Sequence, residues 1–126
     1  MQVEHVDFVS VLTQDLARAK RFYTEVLGLE LETEGEHNME LRLGQVTLDV
    51  FDPSSMGQPF APNPGGFSLR VSDVAAARAE LEANGVEFDG EILDTGVCHM
   101  TFFKDPDGNA LILHRRYAPL RDGTMP

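Results

Sequence analysis

One order of secondary-structure elements is predicted twice along this chain, and the duplication limits the folds available to it. Hydrophobic patterns predict a strand, a helix and three strands, then a linker, then the same order again. The two predicted helices begin with similar segments, Asp15-Leu16-Ala17-Arg18-Ala19 and Asp73-Val74-Ala75-Ala76-Ala77. Neither half can bury a sheet alone. We therefore predict an α+β fold in which two βαβββ modules form curved mixed sheets around a shared cavity.

The boundary between the modules is predicted from composition. The stretch from Asp52 to Gly65 is rich in Pro, Ser and Gly and has no periodicity, which is typical of a loop. We predict a single domain at 1–126, built from a module at 1–52, a linker at 53–65, a module at 66–117 and a tail at 118–126. The length permits a core without disulfides, and the single cysteine, Cys98, is expected to be buried.

Local signals place the elements of each module. The run from Val3 to Leu12 predicts a strand, and Asp15 predicts the N-cap of a helix that stops at Gly28. Alternating residues on both sides of Gly44-Gln45 predict a hairpin. In the second module, Leu81 is predicted to point inward from the helix that follows Asp73.

The last hairpin is predicted around Asp105-Pro106-Asp107-Gly108-Asn109, because each of these residue types favours a tight reversal. If Lys104 opposes Asn109, then His99 lies opposite His114. One face is then wholly apolar and is expected to pack under helices: Cys98, Met100, Phe102, Leu111 and Leu113. The other face has the mixed composition of a binding cavity: Val97, His99, Thr101, Phe103, Ala110, Ile112 and His114.

The net charge and the hydropathy pattern narrow the class of partner. A formal net charge of −11 argues against nucleic acid and anionic lipid, which need clustered Lys and Arg. A cationic or neutral small molecule fits this charge better. The chain has neither a leader-like start nor an apolar run long enough to span a bilayer, so we expect a soluble, cytoplasmic protein.

The chain resembles the vicinal oxygen chelate superfamily in three features. These are the repeated βαβββ order, the segment FYTEVLGLEL at residues 22–31 and the segment FFKDPDGNALIL at residues 102–113. That superfamily holds glyoxalase I, bleomycin-resistance proteins, fosfomycin-resistance enzymes and extradiol dioxygenases. Its enzymes chelate a divalent metal from four positions, which the resemblance carries to Phe8, Asp49, Gly66 and Ile112. Only Asp49 is a possible ligand, and one carboxylate does not hold a divalent ion tightly.

The resemblance therefore implies the metal-free, bleomycin-resistance type, which binds or sequesters a small molecule. No cofactor is expected, and the protein is expected to be a homodimer in which the curved sheets pair. We predict that the following residues bind the ligand: Phe8, Ser10, Asp49, Phe51, Ser68, Arg70, His99, Thr101, Ile112 and His114.

An enzymatic alternative depends on the two histidines. With Asp49, His99 and His114 would form a rearranged metal site for a glyoxalase-like lyase or isomerase, or for a dioxygenase. The same histidines are candidates for general acid and base catalysis, since imidazole titrates near neutral pH. In the simplest interpretation they are hydrogen-bonded to each other and to Thr101. Arg70 is open to two interpretations, a clamp for a substrate carboxylate or an exposed strand arginine.

Overall fold

The computed structural model describes residues 1–126 and contains the βαβββ order twice, which confirms the predicted α+β fold. The first series consists of β1 (Phe8–Leu12), α1 (Leu16–Arg21), a π-helical turn (Phe22–Val26), β2 (Leu31–Glu34), β3 (Asn38–Leu43) and β4 (Val46–Phe51). A short 3-10 turn (Pro53–Met56) follows. The second series consists of β5 (Phe67–Arg70), α2 (Val74–Ala83), β6 (Phe88–Asp94), β7 (Cys98–Lys104) and β8 (Ala110–Arg116).

The chain divides into two compact units, each with one four-stranded mixed sheet. The first unit comprises residues 1–63 and the turn at 105–109, and the second comprises residues 64–104 and 110–126. The strand order is β1-β4-β3-β2 in the first sheet and β5-β8-β7-β6 in the second. In each sheet the first strand of the series runs parallel to the last, and the other neighbours are antiparallel.

In the first unit, α1 covers one face of the sheet. The covered face is apolar, and Met39, Leu41, Leu48 and Val50 are each no more than 2% exposed. As predicted, Asp15 caps α1, and its carboxylate accepts a 3.0 Å hydrogen bond from the Arg18 amide. The strand predicted from Val3 begins only at Phe8.

The turn at 105–109 belongs to the first unit because its side chains bond to that unit. The Asp107 carboxylate accepts hydrogen bonds from the Thr13 hydroxyl (2.6 Å), the Gln14 amide (2.9 Å) and the Arg18 guanidinium (3.0 Å). The side chain of Asp107 is fully buried, which makes a charged partner such as Arg18 necessary. Asn109 Nδ2 donates to the carbonyl of Leu12 at 2.8 Å.

In the second unit, α2 packs on β6, β7 and β8, and Asp73 caps it through a 2.9 Å hydrogen bond from the Ala76 amide. Leu81 is 7% exposed, as the predicted inward position requires. Neither helix has the length and apolar character needed to cross a membrane.

The predicted register of the last hairpin is wrong by one residue. Lys104 pairs with Ala110, and His99 pairs with Arg115, whereas His114 pairs with Met100. The reason is that Asn109 belongs to the turn: its carbonyl accepts from the Asp105 amide at 2.9 Å and its amide donates to Asp105 Oδ1 at 2.8 Å. Because side chains alternate along a strand, a slip of one residue moves every side chain of one strand to the other face of the hairpin.

The corrected register changes both predicted faces of this hairpin. Leu111 and Leu113 share the face under α2 with Phe103 and Thr101, and all four are no more than 2% exposed. Met100 and Phe102, which were predicted to lie on the face under the helices, lie on the opposite face with Ile112 and His114. Cys98 is also on that opposite face, although it is buried as expected.

Candidate functional site

The sheet of the first unit has one face that α1 does not cover, which we call the first open face. Its residues alternate with the core residues along three strands: Phe8, Ser10, Leu12, Asn38, Glu40, Arg42, Thr47, Asp49 and Phe51. Asp49 is central, with Ser10 and Glu40 as its cross-strand neighbours. Its carboxylate accepts from Asn38 Nδ2 at 2.9 Å and from Ser10 Oγ at 3.4 Å. Phe8 is 59% exposed.

The sheet of the second unit has a corresponding uncovered face, which we call the second open face. The residues of β5, β8 and β7 that form its main part are Ser68, Arg70, Ala110, Ile112, His114, Met100 and Phe102. Ser68 pairs with Ile112, and Arg70 pairs with His114. The side chains of Ser68, Arg70 and His114 have no hydrogen-bond or ion-pair partner within the chain.

The ten residues that sequence reasoning assigned to ligand binding divide into three groups. Phe8, Ser10, Asp49 and Phe51 lie on the first open face. Ser68, Arg70, Ile112 and His114 lie on the second open face. His99 and Thr101 lie on the α2 side of the second sheet, so the sheet itself separates them from His114.

Thr101 and His99 have partners that account for them without a ligand. Thr101 is fully buried, and its hydroxyl accepts a 2.9 Å hydrogen bond from Arg78 Nη1. His99 Nε2 lies 3.3 Å from Asp94 Oδ2, and the His99 ring packs on Tyr117 with 5.0 Å between ring centroids. Hydrogen bonds from the Tyr117 hydroxyl and the Gly96 amide lower the pKa of Asp94. These contacts hold the β6–β7 turn against the segment that follows β8.

The donor groups do not fit the metal centre of the enzymes that the sequence resembles. Phe8 and Ile112 have no ligating atom, and the Asp49 carboxylate is already bonded to Ser10 and Asn38. Gly66 has a φ of 70°, and a Cβ atom there would lie 2.9 Å from the Ala110 carbonyl oxygen, so a ligating side chain would not fit. His99 and His114 lie on opposite faces of one sheet and cannot hold one ion together. No group of three His, Cys, Asp or Glu side chains is arranged to hold a metal.

The first unit also has a groove of about 480 Å³ on the side of α1. It lies between α1 and the turn that joins β2 to β3, and Lys20 and Glu34 at its edge form a 2.9 Å ion pair. The volume falls within the range of small-molecule sites. Four of its nine lining residues are charged, namely Lys20, Arg21, Glu34 and Glu36, and none of the ten residues predicted to bind the ligand lines it. We therefore place the candidate site on the open faces.

Comparison with known proteins places the chain in a family. Residues 3–113 match the family model described as Glyoxalase/Bleomycin resistance protein/Dioxygenase superfamily. The chain belongs to this superfamily, which confirms the resemblance predicted from FYTEVLGLEL and FFKDPDGNALIL.

Three individual proteins illustrate the range of its relatives. TnmS3, an antibiotic binding protein from Streptomyces sp. CB03234, is 31% identical, with 93% of this chain and 99% of that chain covered and a TM-score of 0.77. A lactoylglutathione lyase from Agrobacterium tumefaciens has a TM-score of 0.78 at 20% identity, covering 90% of this chain and 94% of that chain. YaeR of Escherichia coli (strain K12), described as uncharacterized, is 29% identical over 126 residues, or 90% of this chain and 98% of YaeR.

The ten predicted residues leave out several that the structure brings to the open faces, four of them beside predicted residues. Asn38 and Glu40 flank Asp49 on the first open face, and their alternation with Met39 and Leu41 could have revealed them. Met100 and Phe102 lie on the second open face, and only the correct hairpin register would have placed them there.

Proposed function

We propose that this protein binds a small organic molecule on its open faces and does so without the metal centre of its enzymatic relatives. The observation that carries this proposal is which residues occupy the four positions that usually bind the metal. Three of them, Phe8, Gly66 and Ile112, offer no ligating side chain, and two of these three offer apolar surface instead. Apolar residues at these positions favour contact with an apolar ligand body over coordination of an ion.

The composition of the open faces supports binding. Phe8 and Phe51 border Asp49 on the first open face, and Ile112, Met100 and Phe102 border His114 on the second. Each face therefore combines apolar side chains with a few hydrogen-bonding groups, the combination that orients small ligands in protein sites. The 31% identity to TnmS3, an antibiotic binding protein, supports the same class of function.

The enzymatic alternative, a glyoxalase-like lyase or isomerase or a dioxygenase with a rearranged metal site, loses its main support. It required His99 and His114 on one face, and the hairpin register separates them. Acid and base catalysis by the pair fails for the same reason, because both groups must reach the same substrate. Sequestration without chemistry remains the function that this arrangement favours.

We also propose that two copies of the chain associate. Phe8 is 59% exposed on a sheet face that no element of its own unit covers, and burial of such aromatic surface favours association. Sedimentation velocity of the wild type and of Phe8→Ser tests this directly. A monomeric wild type would contradict the proposal.

The binding proposal is tested by mapping where a neutral apolar probe binds. N-phenyl-1-naphthylamine is suitable because it has an aromatic body and no charge. In ¹⁵N-labelled protein, we expect the probe to shift amide resonances of open-face residues such as Ser10, Asp49, Ser68 and Ile112. Shifts confined to the groove beside Lys20 and Arg21, or no saturable shifts at all, would contradict the proposal.

A further inference from the structure

The second open face has an unpartnered cationic corner. Arg70 and His114 are paired across the parallel strands β5 and β8, which places their Cα atoms about 4.8 Å apart with both side chains on the same face. Neither side chain bonds to another group of the chain, and Arg70 is exposed. The five N–H donors of the Arg70 guanidinium and the ring of His114 are therefore free to bind a ligand.

The charges around this corner bear on the ligand that it could bind. Arg70 has no carboxylate partner in a chain of 21 acidic and 10 basic residues, and Arg21 and Arg115 also have none. On this face, the paired acidic residue closest to Arg70 is Asp89 on β6, which pairs with Phe102. β6 is three strands away from β5, a separation of about 14 Å, which exceeds the screening length of about 8 Å in physiological salt. Among the paired residues of this face, no carboxylate therefore lies within the screening length of Arg70.

The neighbours of this corner define the rest of the ligand. Ser68 lies on the same strand as Arg70, two residues earlier, and adds a hydroxyl on the same face. Ile112 adjoins Ser68, and Met100 and Phe102 continue the face beyond His114 and Ile112 as an apolar surface. The patch thus has a cationic, hydrogen-bonding corner and an apolar flank, and Lys104 lies at the far end of that flank, where it pairs with Ala110.

We propose that the second open face binds an amphipathic anion, with a carboxylate or sulfonate group on Arg70 and His114 and an apolar body over Ile112, Met100 and Phe102. The planar guanidinium of Arg70 suits two oxygens of such a group, and His114 Nε2 or Nδ1 can donate to one of them. Asp49 on the first open face is a weaker anchor for a charged group, because Ser10 and Asn38 already bond to its carboxylate. This inference rests on the proposed binding function and names its ligand class.

Two probes that differ in one charged group test the inference. 8-Anilinonaphthalene-1-sulfonate and N-phenyl-1-naphthylamine share the same aromatic body, and only the first has a sulfonate. Their dissociation constants are measured by fluorescence titration on wild type, Arg70→Gln, Arg115→Gln and Ile112→Ser. Arg115 is the matched control, because it lies one residue from His114, on the opposite face of β8, and its loss changes the net charge equally. Circular dichroism checks that each variant is folded.

We expect Arg70→Gln to weaken binding of the sulfonate probe about tenfold or more, which is typical of losing a charge-assisted hydrogen bond. The neutral probe should bind that variant as it binds wild type, and Arg115→Gln should change neither affinity. Arg70→Lys keeps the charge without the planar pair of donors and should give an intermediate loss. Ile112→Ser should weaken both probes, because both place the same aromatic body on the face.

The results separate the two proposals. Equal affinity of the sulfonate probe for wild type and Arg70→Gln, or an equal loss in Arg115→Gln, overturns the anion site. If Ile112→Ser still weakens both probes in that case, the proposed binding function stands without it. If Ile112→Ser leaves both affinities unchanged, the anion site on the second open face is overturned, and the binding function is overturned as well if the neutral probe shifts no amide of Ser10 or Asp49.

Discussion

The hydroxyl of Tyr23 donates a 2.6 Å hydrogen bond to Oδ2 of Asp105, and both residues are buried in the first unit. Asp105 also accepts from the Asn109 side chain and from the amides of Asp107 and Asn109. Burial, followed by the negative charge of Asp105, raises the pKa of Tyr23 well above its usual value. This hydrogen bond connects the π-helical turn at 22–26 to the turn that sets the register of the last hairpin.

The raised pKa of Tyr23 predicts a loss of stability at high pH. Below about pH 10 the tyrosine keeps its proton in both the folded and the unfolded chain, so its contribution is constant. Above that pH only the unfolded chain releases the proton, and the free energy of unfolding falls by roughly 1.4 kcal/mol per pH unit. We expect urea denaturation between pH 8 and 11 to show this slope in wild type and a smaller slope in Tyr23→Phe.

Tyr117 provides the matched control, since it is the only other tyrosine and it is exposed. Tyr117→Phe should retain most of the wild-type slope. Identical slopes for wild type and Tyr23→Phe would show that the buried hydroxyl titrates normally, contrary to the structure. At neutral pH, Tyr23→Phe should cost about 1–3 kcal/mol, because Asp105 then loses one donor.

Arg78 is expected to stabilise the second unit. Its Nη1 atom donates to the Gly90 carbonyl at 2.8 Å and to Thr101 Oγ1 at 2.9 Å, and its guanidinium lies 4.8 Å from the centroid of the Phe88 ring. Arg78→Gln should lower the free energy of unfolding by about 1–3 kcal/mol. A double-mutant cycle with Thr101→Val should give a coupling energy of about 0.5 kcal/mol or more. Additive effects would mean that the Arg78–Thr101 hydrogen bond does not contribute to stability.

Leu81 tests the placement of α2. Because it is 7% exposed, Leu81→Ala should cost roughly 2–5 kcal/mol, the usual range for a buried leucine. Leu93 is 47% exposed, and Leu93→Ala should cost about 0.5 kcal/mol or less. Equal denaturation midpoints for the two variants would contradict the packing of α2 on the second sheet.

The metal content of the protein can also be predicted, because the residues at the usual metal-binding positions do not fit a metal. Protein purified without added metal or chelator should contain no stoichiometric nickel, zinc, manganese or iron. A stoichiometric ion that disappears in His114→Ala would restore the rearranged metal site. Asp49→Ala serves as the second variant, since Asp49 is the one usual position with a ligating side chain.

Much of the fold could be predicted from local sequence signals. Asp15 and Asp73 cap the helices as expected, because an N-cap depends on residues only three positions apart. Gly44 has a φ of 62° in the predicted hairpin turn. The alternation of Ser68 and Arg70 with Phe67 and Leu69 also placed the first two residues correctly on one face.

The errors arose where distant contacts determine the local structure. The predicted register pairs Asn109 with Lys104, but bonds to Asp105 and Leu12 keep Asn109 within the turn, and Leu12 lies 97 residues away. No local pattern distinguishes a turn of four residues from one of five at this position. That single residue moved His99 and Thr101 away from the face of His114, and Met100 and Phe102 onto it. The first helix is likewise predicted to be continuous, whereas in the structure its second half is a π-helical turn. In that turn, Tyr23 is hydrogen-bonded to Asp105.

The central claim, binding of a small molecule without a metal, is tested most directly by one affinity measured in two states. The dissociation constant of N-phenyl-1-naphthylamine is determined after exhaustive dialysis against EDTA and again after addition of manganese, zinc, nickel or ferrous ions. We predict saturable binding in both states, with constants that agree within about twofold. Binding that is lost after chelation and returns with a divalent ion would contradict the account.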